Sequence, residues 1–169
     1  MLAEKTLCFT GHRIIAGAHY AAVCDSLERE IEKYISKGYT HFISGGAMGF
    51  DLLAATKVVE ARLRNDKVKL IMALPCRNQT EKWKNSIDIA TYERMLRLAN
   101  NVVYISEVYD NACMQKRNRY MVDRSSAVIA YMTRAGGGTY ATYKYAKSLG
   151  REIVNVSPET PFHEQLTIG

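Results

Sequence analysis

The sequence predicts an α/β fold, a single Rossmann-like domain whose doubly wound, mainly parallel sheet carries helices on both faces. Short apolar segments rich in β-branched residues alternate with segments of helical periodicity along the chain. Strands separated by helices pair in parallel, and right-handed crossovers then cover both faces of the sheet. The length of 169 residues suits one domain.

The first half of the chain predicts two strand–helix units. Residues 5–10, KTLCFT, predict the first strand, since this segment carries polar residues and lacks the small-residue cleavage site of a signal peptide. Residues 20–37 repeat apolar side chains at helical spacing, and Gly38 ends that helix. Residues 40–44, THFIS, predict the second strand, and residues 50–63 predict the second helix.

The second half continues the same alternation and completes the predicted domain at residue 156. Further strands are predicted at 67–75, where Pro75 closes the segment, and at 101–106, 127–132 and 151–156. Further helices are predicted at 80–99, in one or two pieces, and at 111–125 and 139–149. Residues 157–169 hold two of the three prolines and are predicted to form a C-terminal tail outside the domain of residues 1–156.

Composition restricts the classes of function. No apolar run approaches the ~20 residues of a membrane span, so we expect no membrane partner. The four cysteines lie far apart without a CxxC pair, which favours free thiols in a reducing cytoplasm and predicts neither a metal site nor a redox cofactor. The net charge of +6 favours an anionic partner, and a nucleotide, a nucleic acid or simple solubility would each account for it.

The loops after the strands are the places to look for a ligand, because parallel sheets bind ligands at the carboxyl ends of their strands. After the first strand, Gly11 allows a close approach of the backbone and Arg13 can bind a phosphate. His12, between them, is a further candidate. The alternative is a turn glycine with a structural histidine and a solvated arginine.

A glycine-rich turn follows the second strand and leads into a helix. Its candidate residues are Ser44, Gly45, Gly46 and Gly49. The amides of such a turn are expected to point outward towards an anion, although its spacing matches neither the GxGxxG pattern nor a Walker motif. Asp51 follows in the first helical turn, where it either complements the helix dipole or accepts hydrogen bonds from a ribose or base.

The helix at 111–125 carries a polar interruption of an apolar face. At 100° per residue, Met114, Met121, Val122 and Ser125 share one face, and Asn118 falls in its middle. Either Asn118 is buried and bonded to a strand-end carbonyl, or it faces the ligand crevice. Arg117 lies at the edge of the face, and we favour a ligand-binding role for the pair Arg117 and Asn118.

A second glycine-rich turn follows the fifth strand. Gly136, Gly137, Gly138 and Thr139 open a helix, so their amides and the Thr139 hydroxyl can hold a phosphate. Two such turns, each between a strand and a helix, together predict phosphate binding.

Four motifs in this order resemble the SLOG superfamily, the Rossmann-like group that includes the LOG phosphoribohydrolases and the DNA-processing protein DprA. They are FTGHR, SGGAMGFDLLAA, KRNRYMVDRSSAVIAYM and GGGTYATYKYAKSLGR, within residues 9–151. Within that superfamily the chain is most similar to the small YpsA/YoqJ-type proteins. The resemblance implies a nucleotide-derived ligand and self-association, since LOG proteins pair.

The chain departs from the LOG enzymes at one residue that matters for catalysis. The LOG pattern PGGxGTxxE places a catalytic glutamate where this chain has Thr142, and it aligns Arg134 and Ala135 with the proline and the first glycine. Loss of one such electrostatic contact typically costs ~10²–10³ in rate. The sequence therefore favours binding of an ADP-ribose or nucleoside-monophosphate type of molecule by a sensor or sequestering protein.

Two other functions stay open at this stage. A LOG-type N-glycosidase would need its carboxylate from Asp51, Glu81 or Glu93. A DprA-like protein would bind single-stranded DNA, but no interleaved aromatic and basic residues mark a single-strand track, so we expect at most weak, non-specific binding of nucleic acid.

Overall fold

Six strands form one sheet, and the described strands all run parallel. The computed structural model describes residues 2–159. The strands are β1 (Thr6–Gly11), β2 (His41–Ser44), β3 (Lys69–Leu74), β4 (Asn101–Tyr104), β5 (Ala127–Tyr131) and β6 (Glu152–Asn155). The α-helices are α1 (Tyr20–Ser36), α2 (Phe50–Arg62), α3 (Ser86–Leu98), α4 (Cys113–Asp123) and α5 (Gly137–Ser148). The predicted α/β fold with a parallel sheet is confirmed.

The strand order β4-β3-β2-β1-β5-β6 places a topological switch point between β1 and β5. The chain builds the sheet outward from β1 to β4, then crosses back to lay β5 on the other side of β1. The loops after β1 and β5 therefore diverge and leave a crevice at their carboxyl ends. The predicted candidate turns after β1, β2 and β5 all lie at this edge.

Alternate residues of β1 enter two separate cores, so both faces of the sheet are covered. Leu7 and Phe9 join the larger core with α1, α2 and α3, whereas Cys8 joins the smaller core with residues of α4 and α5. Near the crevice, Phe50 at the start of α2 packs edge-on against Phe9, with ring centroids 6.3 Å apart. A Cβ on Gly11 would lie 2.5 Å from the Phe50 ring, so a glycine is needed for β1 to approach α2 this closely.

Three helices differ from the prediction by two or more residues at a boundary, and α4, at Cys113–Asp123, is two residues shorter at each end than the predicted 111–125. The segment predicted as helix at 80–99 is helical only from Ser86, because the Asn85 side chain accepts from the amides of Ile87 and Asp88 and caps the helix there. Helix α5 begins at Gly137, two residues earlier than predicted. Most of the predicted tail at 157–169 lies outside the described residues, so the domain boundary at 156 stays a prediction.

Candidate functional site

A cavity of about 370 Å³ opens at the carboxyl ends of β1 and β5, beside the start of α2. It contains most of the predicted ligand-binding residues: Gly11, His12, Arg13, Asp51, Arg117, Asn118, Gly136, Gly137, Gly138 and Thr139. Thr10, Ile14, Ala47, Met114 and Arg134 complete the lining and were not among the predicted site residues. The turns predicted from separate parts of the sequence thus meet at one place.

The remaining predicted residues, Ser44, Gly45, Gly46 and Gly49, are not part of the lining and instead support it. The Ser44 hydroxyl donates to the backbone oxygen of Asp51 at 2.8 Å and accepts from the Gly46 amide at 3.3 Å. The Gly45 backbone oxygen accepts a hydrogen bond from Arg117. These residues fix the position of Asp51 and Arg117.

The turn before α2 presents fewer free amides than the glycine pattern predicted. The Ala47 amide donates to Asp51 Oδ2 at 3.4 Å, and the Phe50 amide donates to the His12 backbone oxygen at 3.2 Å. The Leu52 amide donates to the Ala47 backbone oxygen at 3.2 Å. The protein itself therefore occupies much of the N-terminus of α2, and the expectation of an outward-facing set of amides there is not met.

Gly49 makes this closed arrangement possible. Its φ of +75° lies in the left-handed region, and a Cβ there would overlap the backbone carbonyl of Arg13. The loop after β1 consequently packs directly against the start of α2.

The N-terminus of α5 is open by comparison. Gly136 and Gly137 have φ values of +100° and +80°, and a Cβ built at Gly136, Gly137 or Gly138 meets no atom within 4 Å. The first amides of a helix have no partner within the helix and carry the positive end of its dipole. Here they border the cavity, so this helix start presents partly positive amide groups to it.

The periodicity placed Asn118 in the middle of the buried face of α4 and Arg117 at its edge, and the structure has these two positions exchanged. Arg117 is only 4% exposed and donates to the Gly45 backbone oxygen, while Asn118 is half-buried and accepts from Arg117 Nε at 2.8 Å. The buried line of α4 runs through Cys113, Arg117 and Met121, at i, i+4 spacing, rather than through Asn118. The buried side chain bonded to a strand-end loop carbonyl is thus the arginine.

Asp51 is a buried carboxylate that faces the cavity. It is 4% exposed, and its Oδ1 atom has no hydrogen-bond partner among residues 2–159. Burial raises the pKa of Asp51 to about 6, against the opposing effects of Arg117, the Ala47 amide and Arg13. A Cβ on Gly45 would lie 2.6 Å from Arg117 Nη1 and 2.8 Å from Asp51 Oδ2, so both groups pack against this glycine.

His12 ties two strand-end loops together. Its Nε2 accepts from the Thr133 amide at 2.9 Å, which requires an unprotonated Nε2. Burial lowers the pKa of His12, and the nearby Arg134 lowers it further. His12 therefore supports the cavity as a neutral ring, and the cations of the lining are Arg13, Arg117 and Arg134.

Thr142, at the position of the LOG glutamate, is buried and bonded within α5. Its hydroxyl donates to the Gly138 backbone oxygen at 2.9 Å, and it lines a neighbouring cavity of about 350 Å³ instead of the main one. Of the other carboxylates considered, Glu81 lines a separate cavity and Glu93 is exposed on α3. Asp51 is the carboxylate that the fold brings to the cavity.

Sequence reasoning missed Arg134 and Met114 as lining residues, although both had readable signals. Arg134 lies two residues before the second glycine-rich turn, in the loop after β5, and Met114 lies one turn before Asn118 on α4. Within residues 2–159, no group of three or more His, Cys, Asp or Glu side chains is placed to hold a metal ion. No helix in that part of the chain is long and apolar enough to cross a bilayer.

Comparison with known proteins agrees with the fold and the motifs. The SPbeta prophage-derived protein YoqJ of Bacillus subtilis (strain 168) is 31% identical over 158 residues, covering 85% of this chain and 92% of YoqJ. DprA of Streptococcus pneumoniae has the same fold, with a TM-score of 0.62 and 17% identity over 90% of this chain. DprA of Helicobacter pylori gives a TM-score of 0.63 with 18% identity over 90% of this chain.

This chain spans 50% of the pneumococcal DprA chain and 65% of the Helicobacter one, so it matches only part of either protein. The sequence also matches the model of the YpsA family, the YspA SLOG family, over residues 16–153. That match includes α1, the strands β2 to β5, the first two residues of β6, and also Asp51, Arg117 and the Gly136–Thr139 turn. The chain therefore belongs to the YpsA SLOG family.

Proposed function

We propose that this protein binds a nucleotide or nucleotide-derived small molecule, of the ADP-ribose or nucleoside-monophosphate type, and acts as a sensor or sequestering protein. Members of the SLOG family bind nucleotide-derived ligands. The proposal places the phosphate of this ligand at the start of α5.

The observation that carries the proposal is the open N-terminus of α5 beside three arginines. Amides of the first helical turn and the guanidinium groups of Arg13, Arg117 and Arg134 converge on one cavity. Helix amides and arginines are the groups that proteins use for phosphate oxygens. The volume of about 370 Å³ also falls in the usual range for small-molecule sites.

A binding role, rather than a catalytic one, is supported by Thr142. A LOG-type reaction uses a glutamate at this position, and the threonine here has its hydroxyl engaged with the Gly138 carbonyl. Self-association belongs to the same proposal and rests on the resemblance to LOG proteins.

The phosphate site predicts a difference between a nucleotide and its nucleoside. AMP or ADP-ribose should raise the melting temperature, and adenosine should raise it much less, because the α5 amides and arginines bind the phosphate. At a ligand concentration 100-fold above Kd the stabilisation is ~2.7 kcal/mol. Differential scanning fluorimetry measures both shifts.

Gly138→Val is the variant that tests the phosphate site. A side chain at position 138 would enter open space, and the backbone there does not have a positive φ that a valine would strain. The variant should leave the protein folded and remove most of the shift caused by the nucleotide. Gly17→Val is its control, because Gly17 is also unobstructed and lies outside the cavity lining. Equal shifts from nucleoside and nucleotide would contradict the phosphate site.

A second candidate function, hydrolysis of an N-glycosidic bond, is favoured by Asp51. Asp51 lines the cavity, its Oδ1 has no hydrogen-bond partner within the described part of the chain, and its carboxylate could stabilise positive charge on a ribose. Under the binding proposal, wild-type protein releases no free base from nucleoside monophosphates or NAD above a heat-treated control, as chromatography of the products would show.

The matched pair Asp51→Asn and Asp66→Asn separates the two functions. Asp66 is exposed in the turn before β3, at the opposite end of the sheet from the cavity. Base release by the wild type and by Asp66→Asn, but not by Asp51→Asn, would replace the binding proposal with the enzymatic one.

A further inference from the structure

We infer that a second cavity, next to the first, is the subsite for the heterocyclic base of the ligand and recognises an N–H donor on that base. The inference rests on the proposed function, because it takes the phosphate to lie at the start of α5. It assigns the neighbouring loops after β3 and β4 to ligand recognition.

The two cavities are adjacent and share part of their walls. The second measures about 520 Å³, and its lining shares Arg13, Ala47 and Met114 with the first. Trp83 and Tyr109 also line it, and they are the aromatic residues of its wall. A nucleotide lying across the shared wall would place its phosphate by α5 and its base beside these rings, where stacking favours any base.

The loop that carries Tyr109 is held against the loop after β3. The Asn78 side chain accepts from the Tyr109 amide at 3.0 Å, and the Arg77 side chain donates to Glu107 at 2.7 Å. The Arg77 guanidinium also lies 4.1 Å from the centroid of the Tyr104 ring. Tyr109 is nevertheless 58% exposed, so a loop held by these contacts presents an aromatic ring that the fold does not bury.

Trp83 is fixed from the core side. Its ring meets Tyr92 edge-on, with centroids 5.4 Å apart and an interplanar angle of 76°. Trp83 is half-buried and also packs against the larger core. Its orientation is therefore set before a ligand arrives, which lowers the entropy lost on stacking.

Gln79 provides the polar recognition. Its Nε2 donates to the Gly45 backbone oxygen at 3.4 Å, which determines which way the amide points. Its Oε1 is then buried, and no group within the described part of the chain donates to it. Because an unpaired buried acceptor is unfavourable, the Gln79 carbonyl is suited to an N–H group on a base.

Binding of AMP, GMP, CMP and UMP, each compared with ribose 5-phosphate by isothermal titration calorimetry, tests the base subsite. At least one nucleotide should bind about tenfold or more tightly than ribose 5-phosphate, since the sugar phosphate lacks the base. In Gln79→Leu this preference should fall about tenfold, with the affinity for ribose 5-phosphate unchanged. Gln115→Leu, an exposed glutamine on α4 that does not line the second cavity, should keep the preference.

Tyr109→Ser provides a second variant that does not depend on Gln79 and removes little packing. It should weaken nucleotide binding several-fold and leave ribose 5-phosphate unaffected. The base subsite is wrong if no nucleotide binds better than ribose 5-phosphate, or if the preference persists in both Gln79→Leu and Tyr109→Ser. Failure of ribose 5-phosphate and of every nucleotide to bind would instead overturn the proposed function itself.

Discussion

Asp51 and Arg117 form the electrostatic centre of the site, although neither is exposed. Burial lowers the pKa of Arg117 and raises that of Asp51, and each group offsets part of the shift of the other. The Gly45 carbonyl and Asn118 supply hydrogen bonds to the arginine. Buried charges held in this way are costly to separate, because removal of one partner leaves the other without its counterion.

The raised pKa of Asp51 makes stability depend on pH. The ordinary value is 3.8 and the folded value is about 6, so the folded state holds the proton more tightly. This contribution is fully present below about pH 4 and is lost as pH rises through 6, which removes ~3 kcal/mol. Asp51→Asn cannot titrate, so the free energy of unfolding of the wild type should fall relative to that of the variant between pH 4 and 7.

Chemical denaturation of both proteins at several pH values provides this comparison. The difference between asparagine and protonated aspartic acid at this position is the same at every pH, so it cancels from the slope and leaves the titration of Asp51. A difference between the two proteins that does not change with pH would show that Asp51 has an ordinary pKa.

At the scale of single residues, the sequence identified the cavity more reliably than it identified each role. Gly11, Arg13, Asp51 and the Gly136–Thr139 turn could be found because they follow strands that parallel pairing brings to one edge. The exchange between Arg117 and Asn118 could not be predicted, because a helix can rotate about its axis by tens of degrees to fit its packing. The periodicity of the sequence does not determine that rotation.

At the scale of elements, the two glycine-rich helix starts differ in a way that composition does not reveal. The start of α2 is closed by hydrogen bonds to its own loop and to the loop after β1, while the start of α5 borders the cavity. Both turns are rich in glycine, but Gly49 before α2 serves to let the loop after β1 pack against the start of that helix. The number of glycines therefore predicted the positions of both turns and not their accessibility.

The helix boundary at Ser86 had a signal that the apolar pattern obscured. Asn85 is a favoured N-cap residue, and Asp88 stands in the first turn after it. The irregular segment between β3 and α3 carries Gln79 and Trp83, which were not predicted to be site residues. A loop of that kind shows no periodicity, so its contribution becomes visible only when the fold places it beside Arg13 and Met114.

At the scale of the whole molecule, the strand order explains why distant segments meet. Residues of the first loop and of the loop after β5 are more than a hundred positions apart, and the switch between β1 and β5 makes them neighbours. The parallel sheet itself was predictable from the alternation of strands and helices. The position at which the strand order reverses, between β1 and β5, depends on long-range strand pairing, which local sequence does not specify.

The net charge of +6 predicts weak and salt-sensitive binding of single-stranded DNA. We expect a Kd of ~10⁻⁴–10⁻⁶ M at physiological salt, which is typical of non-specific contacts with phosphates. Fluorescence anisotropy with a labelled oligonucleotide measures it, and doubling the salt should weaken it further. Nanomolar binding at physiological salt would favour the single-stranded DNA function that the Helicobacter DprA structure describes for that protein.

The backbone oxygen of Gly45 accepts hydrogen bonds from two side chains, Arg117 in the first cavity and Gln79 in the second. A ligand phosphate that draws Arg117 towards itself would weaken the hydrogen bond from Arg117 to this oxygen. The hydrogen bond from Gln79 to the same oxygen would then become stronger and would hold the Gln79 amide more firmly in place. Occupation of the phosphate end would then prepare the base end. Through this shared acceptor the two halves of a nucleotide would bind cooperatively, and the protein would distinguish the intact molecule from an equal mixture of its fragments.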